Sequence, residues 1–313
     1  MKAPLAIACI LMAARLVDAA LPDGDAQIRG KTTNSEIVIT TTHRLAGAID
    51  SLRWKGFEFI NSTDHGRQLQ SACSFDNTPS ANPETFNPTE AGSRDDGAGP
   101  NSTSQLRELS ARGNHLHTKT RMAFWLKPGE RSEGQLARNT NVVSDYMLTK
   151  DVTIGFQRWS QALDYRVTFS LPTNATHTLA QFEALTGYMP ELFDAFYRFN
   201  PKTGKLEPLS RGPGEIADPV VLATADGRFA MGIFSITPPT AFTRGPGYGR
   251  WLFDWARVVK WNCVFRVQNP AGIPAGDYTY RMLVPIGTLA EVEKMLSDWE
   301  HLDLGKLAAQ TER

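Results

Sequence analysis

Residues 116–126 alternate with a period of two. Leu116, Thr118, Thr120, Met122, Phe124 and Leu126 fall on one side, and His117, Lys119, Arg121 and Trp125 on the other. Successive side chains of a β-strand point to opposite faces, so this spacing predicts a strand with one packed face and one polar face. The same pattern recurs along the chain. Residues 36–41 place Ile37, Ile39 and Thr41 together; 163–171 place Tyr165, Val167, Phe169 and Leu171 together; 258–267 separate Val259, Trp261, Cys263, Phe265 and Val267 from Lys260, Asn262 and Arg266. Residues 47–54 and 57–60 read as a hairpin across Lys55-Gly56, 219–224 and 228–236 as another across an Asp-Gly turn, and 277–284 as a last strand. Only one helix is well signalled. Thr288-Leu289-Ala290-Glu291 fits a capping box, and Leu289, Val292, Leu296 and Trp299 follow at helical spacing. Many strands and one terminal amphipathic helix predict a mostly β fold, an antiparallel β-sandwich with a short C-terminal helix.

Two stretches interrupt the pattern. Residues 77–104 are rich in Asn, Pro, Ser, Gly and Asp, and 237–250 in Gly, Pro and Thr. Both are expected to be long loops of the kind that carry function. No repeat or boundary divides the remainder, so residues 21–313 are read as a single domain.

The first twenty residues have the order of an export signal. Lys2 is followed by an apolar run from Ala3 to Ala14 and by the small-residue pattern Val17-Asp18-Ala19. A secreted or periplasmic protein is expected, with no membrane contact after cleavage. Cys73 and Cys263 then remain, as one disulfide or as two buried thiols. Lys+Arg and Asp+Glu are equal at 33 each, which argues against a nucleic-acid surface and against a polybasic membrane patch.

Chemistry-bearing residues gather in three places. Asp64-His65-Gly66-Arg67-Gln68 and residues 87–96 combine carboxylates, an imidazole and guanidinium groups among turn residues. Glu183 alternates out from Phe182 and Ala184, ahead of Gly187-Tyr188. Arg244-Gly-Pro-Gly-Tyr248-Gly-Arg250-Trp251 offers flat rings with polar tips, suited to the C–H face of a sugar. The polar strand faces add His117, Lys119, Arg121, Lys260, Asn262 and Arg266; on one concave sheet they would form a basic groove for an anionic glycan. His115 and His117 share a strand face, but no third metal ligand can be named. There is no H-E-x-x-H, P-loop, G-x-S-x-G or dinucleotide fingerprint, so no cofactor is called for and no metal ligands are named.

The opening segment Gly47-Ala48-Ile49-Asp50-Ser51-Leu52, Trp54-Lys55-Gly56-Phe57-Glu58-Phe59-Ile60 and Asp64-His65-Gly66-Arg67 resembles the start of galactose-mutarotase-like β-supersandwich proteins. That resemblance implies a sugar ligand on a concave sheet face. Asn87-Pro88-Thr89 is similar to the segment before a catalytic His in true mutarotases, but Glu90 follows here. The mutarotase His pair and late Glu find no match, which disfavours an aldose epimerase.

The resulting expectation is a carbohydrate-active protein, most simply an enzyme that degrades or modifies a polysaccharide. Hydrolysis would use Glu90 and Glu183, with Asp95 or Asp96 in reserve. Elimination on a uronate would use His65, His117 or Tyr188 as base, with Arg67, Arg94 or Lys260 neutralising the carboxylate. Arg121, Tyr248, Arg250, Trp251, Asn262 and Asp95 would complete the binding surface. The alternative is a glycan-binding protein without catalysis.

Overall fold

A computed structural model describes residues 22–77, 83–174, 176–238 and 243–303. The segment read as an export signal lies outside the described residues. Two antiparallel sheets form the body. The first runs Ala26–Lys31, Glu36–Thr41, Ile49–Trp54, Leu69–Phe75, Leu179–Pro190, Val258–Gln268, Thr243–Phe253 and Gly214–Ile216. The second runs Gln105–Arg112, His115–Phe124, Val143–Phe156, Trp159–Leu171 and Gly276–Gly287. It continues through Ala230–Gly232, Val220–Ala223, Ala195–Asn200 and Lys205–Pro208. The short strand Pro88–Thr89 bonds to both sheets and ties them at one edge.

The sheets meet face to face because each strand supplies one apolar side. Phe182 from the first sheet packs on Phe169 and Tyr280 of the second, at 5.0 and 5.4 Å between ring centres, and Phe265 stacks on Tyr280 at 4.3 Å. Such aromatic pairs each add about 0.5–1.5 kcal/mol beyond the area they bury. Val143–Phe156 shows how strictly the period holds, since every even-numbered side chain along it is buried. That parity carries Lys150 into the interior. Its ammonium meets Glu90, and both side chains are essentially inaccessible. The other Glu90 oxygen accepts from the backbone N–H of Ser71 at 3.0 Å.

The C-terminal helix, Leu289–Trp299, starts where the capping box places it, with Thr288 and Glu291 exchanging side-chain-to-backbone bonds. It buries Val292, Met295, Leu296 and Trp299 in a second apolar cluster at the end of the sandwich.

Several expectations change. Thr243–Phe253 is an eleven-residue strand, so most of the predicted 237–250 loop belongs to the sheet; its glycines accommodate close packing. The 77–104 stretch contains the Pro88–Thr89 strand and a 3-10 turn at Arg94–Asp96. Cys73 and Cys263 are free, buried thiols. Their strands flank Leu179–Pro190 on opposite edges, with Cys73 opposite Phe182 and Cys263 opposite Leu185. Two strand spacings, roughly 10 Å, separate them, which is beyond disulfide reach.

Candidate functional site

The site begins with a break in the period. Between Glu183 and Leu185 the Leu179–Pro190 strand slips register against both neighbours. One extra residue in a strand re-aims everything after it. Ala184 and Leu185 are both buried in the core, and Glu183, Thr186 and Tyr188 emerge together on the outer face. In an unbroken strand Thr186 and Tyr188 would have pointed inward. On Val258–Gln268, Asn262 lies opposite Thr186 and Lys260 opposite Tyr188. Trp251 of the next strand lies opposite Lys260.

Glu183 gathers this cluster. Its Oε2 accepts from Thr186 Oγ1 at 2.8 Å, from Lys260 Nζ at 3.2 Å and from Asn262 Nδ2 at 3.3 Å. The ammonium of Lys260 also lies 5.1 Å from the ring centre of Tyr188 and 4.8 Å from that of Trp251. Gly249 makes this possible: a Cβ there would sit 2.1 Å from Trp251 Cη2 and 2.5 Å from Asn262 Oδ1.

Loops wall the outer face into a cavity of about 450 Å³. Arg67, Glu84, Arg94, Trp125 and Trp255 line it with Glu183, Tyr188 and Lys260. Asp64 fixes the first loop, accepting from Gly66 N at 3.0 Å and pairing with Arg67 at 3.1 Å. A Cβ at Gly66 would come 2.9 Å from Trp125 Cη2, so the absence of a side chain lets that indole lie against the backbone. Arg94 pairs with Glu130 at 2.8 Å. Trp255 stands on the 3-10 turn Asp254–Ala256, 81% exposed, with the Arg67 guanidinium 5.5 Å from its ring centre. An exposed indole of this size beside a polar cavity is a ready stacking surface.

The charges sort themselves. Burial works to raise the Glu183 carboxyl, but the Lys260 charge and the bonds from Thr186 and Asn262 outweigh it and hold Glu183 below its usual range. Burial pushes Glu84 up, and the negative charge of Glu183 adds to that, against the pull of Lys260 and Arg94. Burial opposes the charge on Lys260, yet Glu183 and Tyr188 raise it above its ordinary value. Tyr188 is also raised, by burial first, with Lys260 acting against it. The cavity thus contains two carboxyls pushed in opposite directions, Glu183 down and Glu84 up, the pattern of a matched base and acid.

The residues singled out from sequence divide cleanly. Arg67, Arg94, Glu183, Tyr188 and Lys260 line one cavity, with Asn262 and Trp251 beside them. His65 also lines it, but its ring is taken: Nδ1 is 2.7 Å from Gly97 O and Nε2 is 2.7 Å from Arg44 O. Asp95 pairs with Lys127, and Asp96 clamps its own loop through Ser93 N and Thr103.

Others lie elsewhere. Glu90 is sealed in the core against Lys150. Tyr248 and Arg250 alternate to the opposite side of their strand from Trp251. The Tyr248 hydroxyl accepts from Ser235 N at 3.0 Å, and Arg250 donates to Ser210. His117 and Arg121 belong to the outer face of the other sheet, bonded to Asp151 and Asp145. The polar strand faces therefore do not converge in one basic groove. Asp151 also lies 3.4 Å from His115, yet these side chains form no ligand cluster; among the described residues only the exposed Asp23, Asp25 and His43 come close enough to share an ion.

Glu84, Gln70, Thr186 and Trp255 were not anticipated. For Trp255 a signal existed, since a Trp two residues beyond the strand end at Phe253 has no partner face to fill. Glu84 lies in irregular backbone and offers no such sign.

No protein-family model and no curated protein sequence matches the chain. Among solved structures it is similar to a putative aldose 1-epimerase from Escherichia coli K12, at 10% identity and TM-score 0.46, over 85% of this chain and 100% of that one. It is similar to heparan sulfate lyase HepC from Pedobacter heparinus, at 10% identity and TM-score 0.41, over 85% of this chain and 35% of that one. It is also similar to the GH36 alpha-galactosidase AgaB from Geobacillus stearothermophilus, at 7% identity and TM-score 0.44, over 85% and 40%. At such identities the likeness is one of chain path, and the chemistry of the cavity rests on its own residues.

Proposed function

We propose that the cavity binds a carbohydrate and that Glu84 and Glu183 act as the acid and base of a glycoside hydrolase. The observation that carries this reading is the pair of carboxyl groups pushed in opposite directions in one cavity beside two exposed or half-exposed indoles. Glu84 donates its proton to the glycosidic oxygen as the C–O bond breaks. Glu183 takes a proton from the water whose oxygen bonds to the anomeric carbon. Trp125 and Trp255 offer stacking faces for the sugar rings, and Arg67 and Arg94 suit a carboxylated glycan. With residues 1–20 read as an export signal, the reaction lies outside the cytoplasm.

Elimination on a uronate is the second reading, with Tyr188 as base beside Lys260. Burial holds the Tyr188 proton more firmly than in water, which leaves less of the tyrosinate that would have to act as base. An epimerase is disfavoured because both His65 ring nitrogens are already committed.

The test is incubation with neutral and uronate polysaccharides, following reducing ends and ultraviolet absorbance together. New reducing ends without absorbance are expected, and Glu84→Gln and Glu183→Gln should each slow the reaction by roughly 10²–10⁴-fold. Absorbance rising with the ends would replace hydrolysis by elimination. Full activity in both variants would sink the acid–base assignment, and binding without turnover would leave a glycan-binding protein.

A further inference from the structure

A second cavity, of about 350 Å³, lies across one wall of the first. That is the low end of small-molecule pockets. The wall is the segment 84–87. Glu84 and Asn87 line the first cavity, and Phe86 lines the second. Thr85 is held between them by Arg138, whose backbone N–H donates to Thr85 O at 2.9 Å and whose Nε donates to Thr85 Oγ1 at 3.1 Å. The rings of Phe86 and Phe124 meet at 4.7 Å and supply an apolar side.

Tyr146 and His177 also line this cavity, both nearly inaccessible. The two are hydrogen-bonded through Tyr146 Oη and His177 Nε2. His177 Nδ1 is 2.6 Å from Asp76 Oδ2. The other Asp76 oxygen accepts from the backbone N–H of Thr178 and Leu179, at 2.8 and 3.1 Å. Burial opposes ionisation of Asp76, yet these bonds hold it below its usual range. An ionised Asp76 accepts the hydrogen bond of the His177 Nδ1–H, so Nε2 accepts from the Tyr146 hydroxyl, and the Tyr146 oxygen keeps its capacity to accept. Asn139 adds a second acceptor. Its Nδ2 donates to Leu126 O and Asn141 O, while its buried Oδ1 has no partner among the described residues. Two fixed acceptors beside an aromatic side suit a ligand that presents hydroxyl donors and a C–H face.

We propose that the second cavity is a sugar subsite, and that a glycan held in the first cavity straddles the 84–87 wall to place a further residue against Tyr146 and Asn139. This rests on the reading of the first cavity as a sugar site.

The experiment uses the full chain carrying Glu183→Gln, titrated with cellobiose, cellohexaose, digalacturonate and hexagalacturonate. The Trp255 indole N–H resonance reports on the first cavity and the His177 Cε1–H resonance on the second. A hexasaccharide should move both, and its disaccharide only Trp255. Adding Asn141→Trp, which crowds the exposed mouth of the second cavity, should weaken the hexasaccharide by roughly ten-fold and leave the disaccharide unchanged. A hexasaccharide that moves Trp255 alone overturns the subsite and keeps the first reading. His177 moving without Trp255 keeps a second sugar site and overturns the first. Neither resonance moving with any of the four overturns both.

Discussion

Lys260 is the residue on which the charges of the site depend. It neutralises Glu183, raises a barrier to protonating it, and is held in turn between Tyr188 and Trp251. Lys260→Met should let the Glu183 carboxyl rise. Because Glu183 must be ionised to act, the acid limb of the pH–rate profile should move to higher pH. An unmoved limb would remove Lys260 from this role. The same depression has a sign for stability. Glu183 and Asp76 both bind protons less readily folded than unfolded. Their contribution is complete above the ordinary carboxylate range and is lost as pH falls through their folded values, so thermal midpoints should drop in acid. Lys150 and Glu90 make a different demand. Glu90→Gln leaves an ammonium in the core without its counter-charge, and a loss of about 3–5 kcal/mol is expected from urea unfolding. Glu90→Gln with Lys150→Met should recover much of it. Glu183, Tyr188, Lys260 and Arg67, which now line one cavity, stood out in the sequence because each falls at a strand period or a turn motif. The burial of Glu90 was not legible, since the partner that draws it inward is Lys150, sixty residues away.

At the scale of elements, the packing of three adjacent strands sets the Lys260 cage. Gly249→Ala would drive a methyl into Trp251 and Asn262. Trp251 would swing off Lys260, and KM should rise by roughly three- to ten-fold, about the worth of one cation–π contact, with kcat less affected. An unchanged KM would show that Trp251 has no part in binding. The terminal helix offers a separate check. Thr288→Ala removes the hydroxyl half of the capping box, leaving Glu291 on the Thr288 backbone N–H, and should cost about 1 kcal/mol by urea midpoint. Strands with clean alternation, such as Glu36–Thr41 and Val258–Gln268, and the capped helix were legible almost to the residue. The long strand Val143–Phe156 was not, because Lys150 and Ser144 occupy buried positions and obscure its apolar side. Thr243–Phe253 was hidden by glycines, which normally signal turns and here make room for neighbouring side chains.

Across the whole molecule, the two sheets divide the polar residues that sequence could only count. One outer face carries the cavity; the other carries His117, Lys119 and Arg121, each matched to a carboxylate. Strand periodicity assigns residues to a face but not to a sheet, which is why a single groove was expected. The separation of the cysteines is equally a property of sheet order. Melting temperature should be the same with and without a thiol reductant, and both thiols should react with a thiol reagent only after unfolding. A reductant-dependent midpoint would contradict the strand order.

The register slip beside Glu183 also bears on parity. Glu183 and Tyr188 are separated by an odd interval, and odd intervals in an unbroken strand always place two side chains back to back. Their meeting is therefore possible only through the single supernumerary residue at Ala184–Leu185. A relative that kept this five-residue interval but paired without the slip would present Leu and Gly where this chain presents Thr and Tyr, whereas one lacking the extra residue would have an even interval and need no slip. In comparing sequences of this architecture, the length of the interval between the carboxylate and the tyrosine is thus as diagnostic as the two letters themselves.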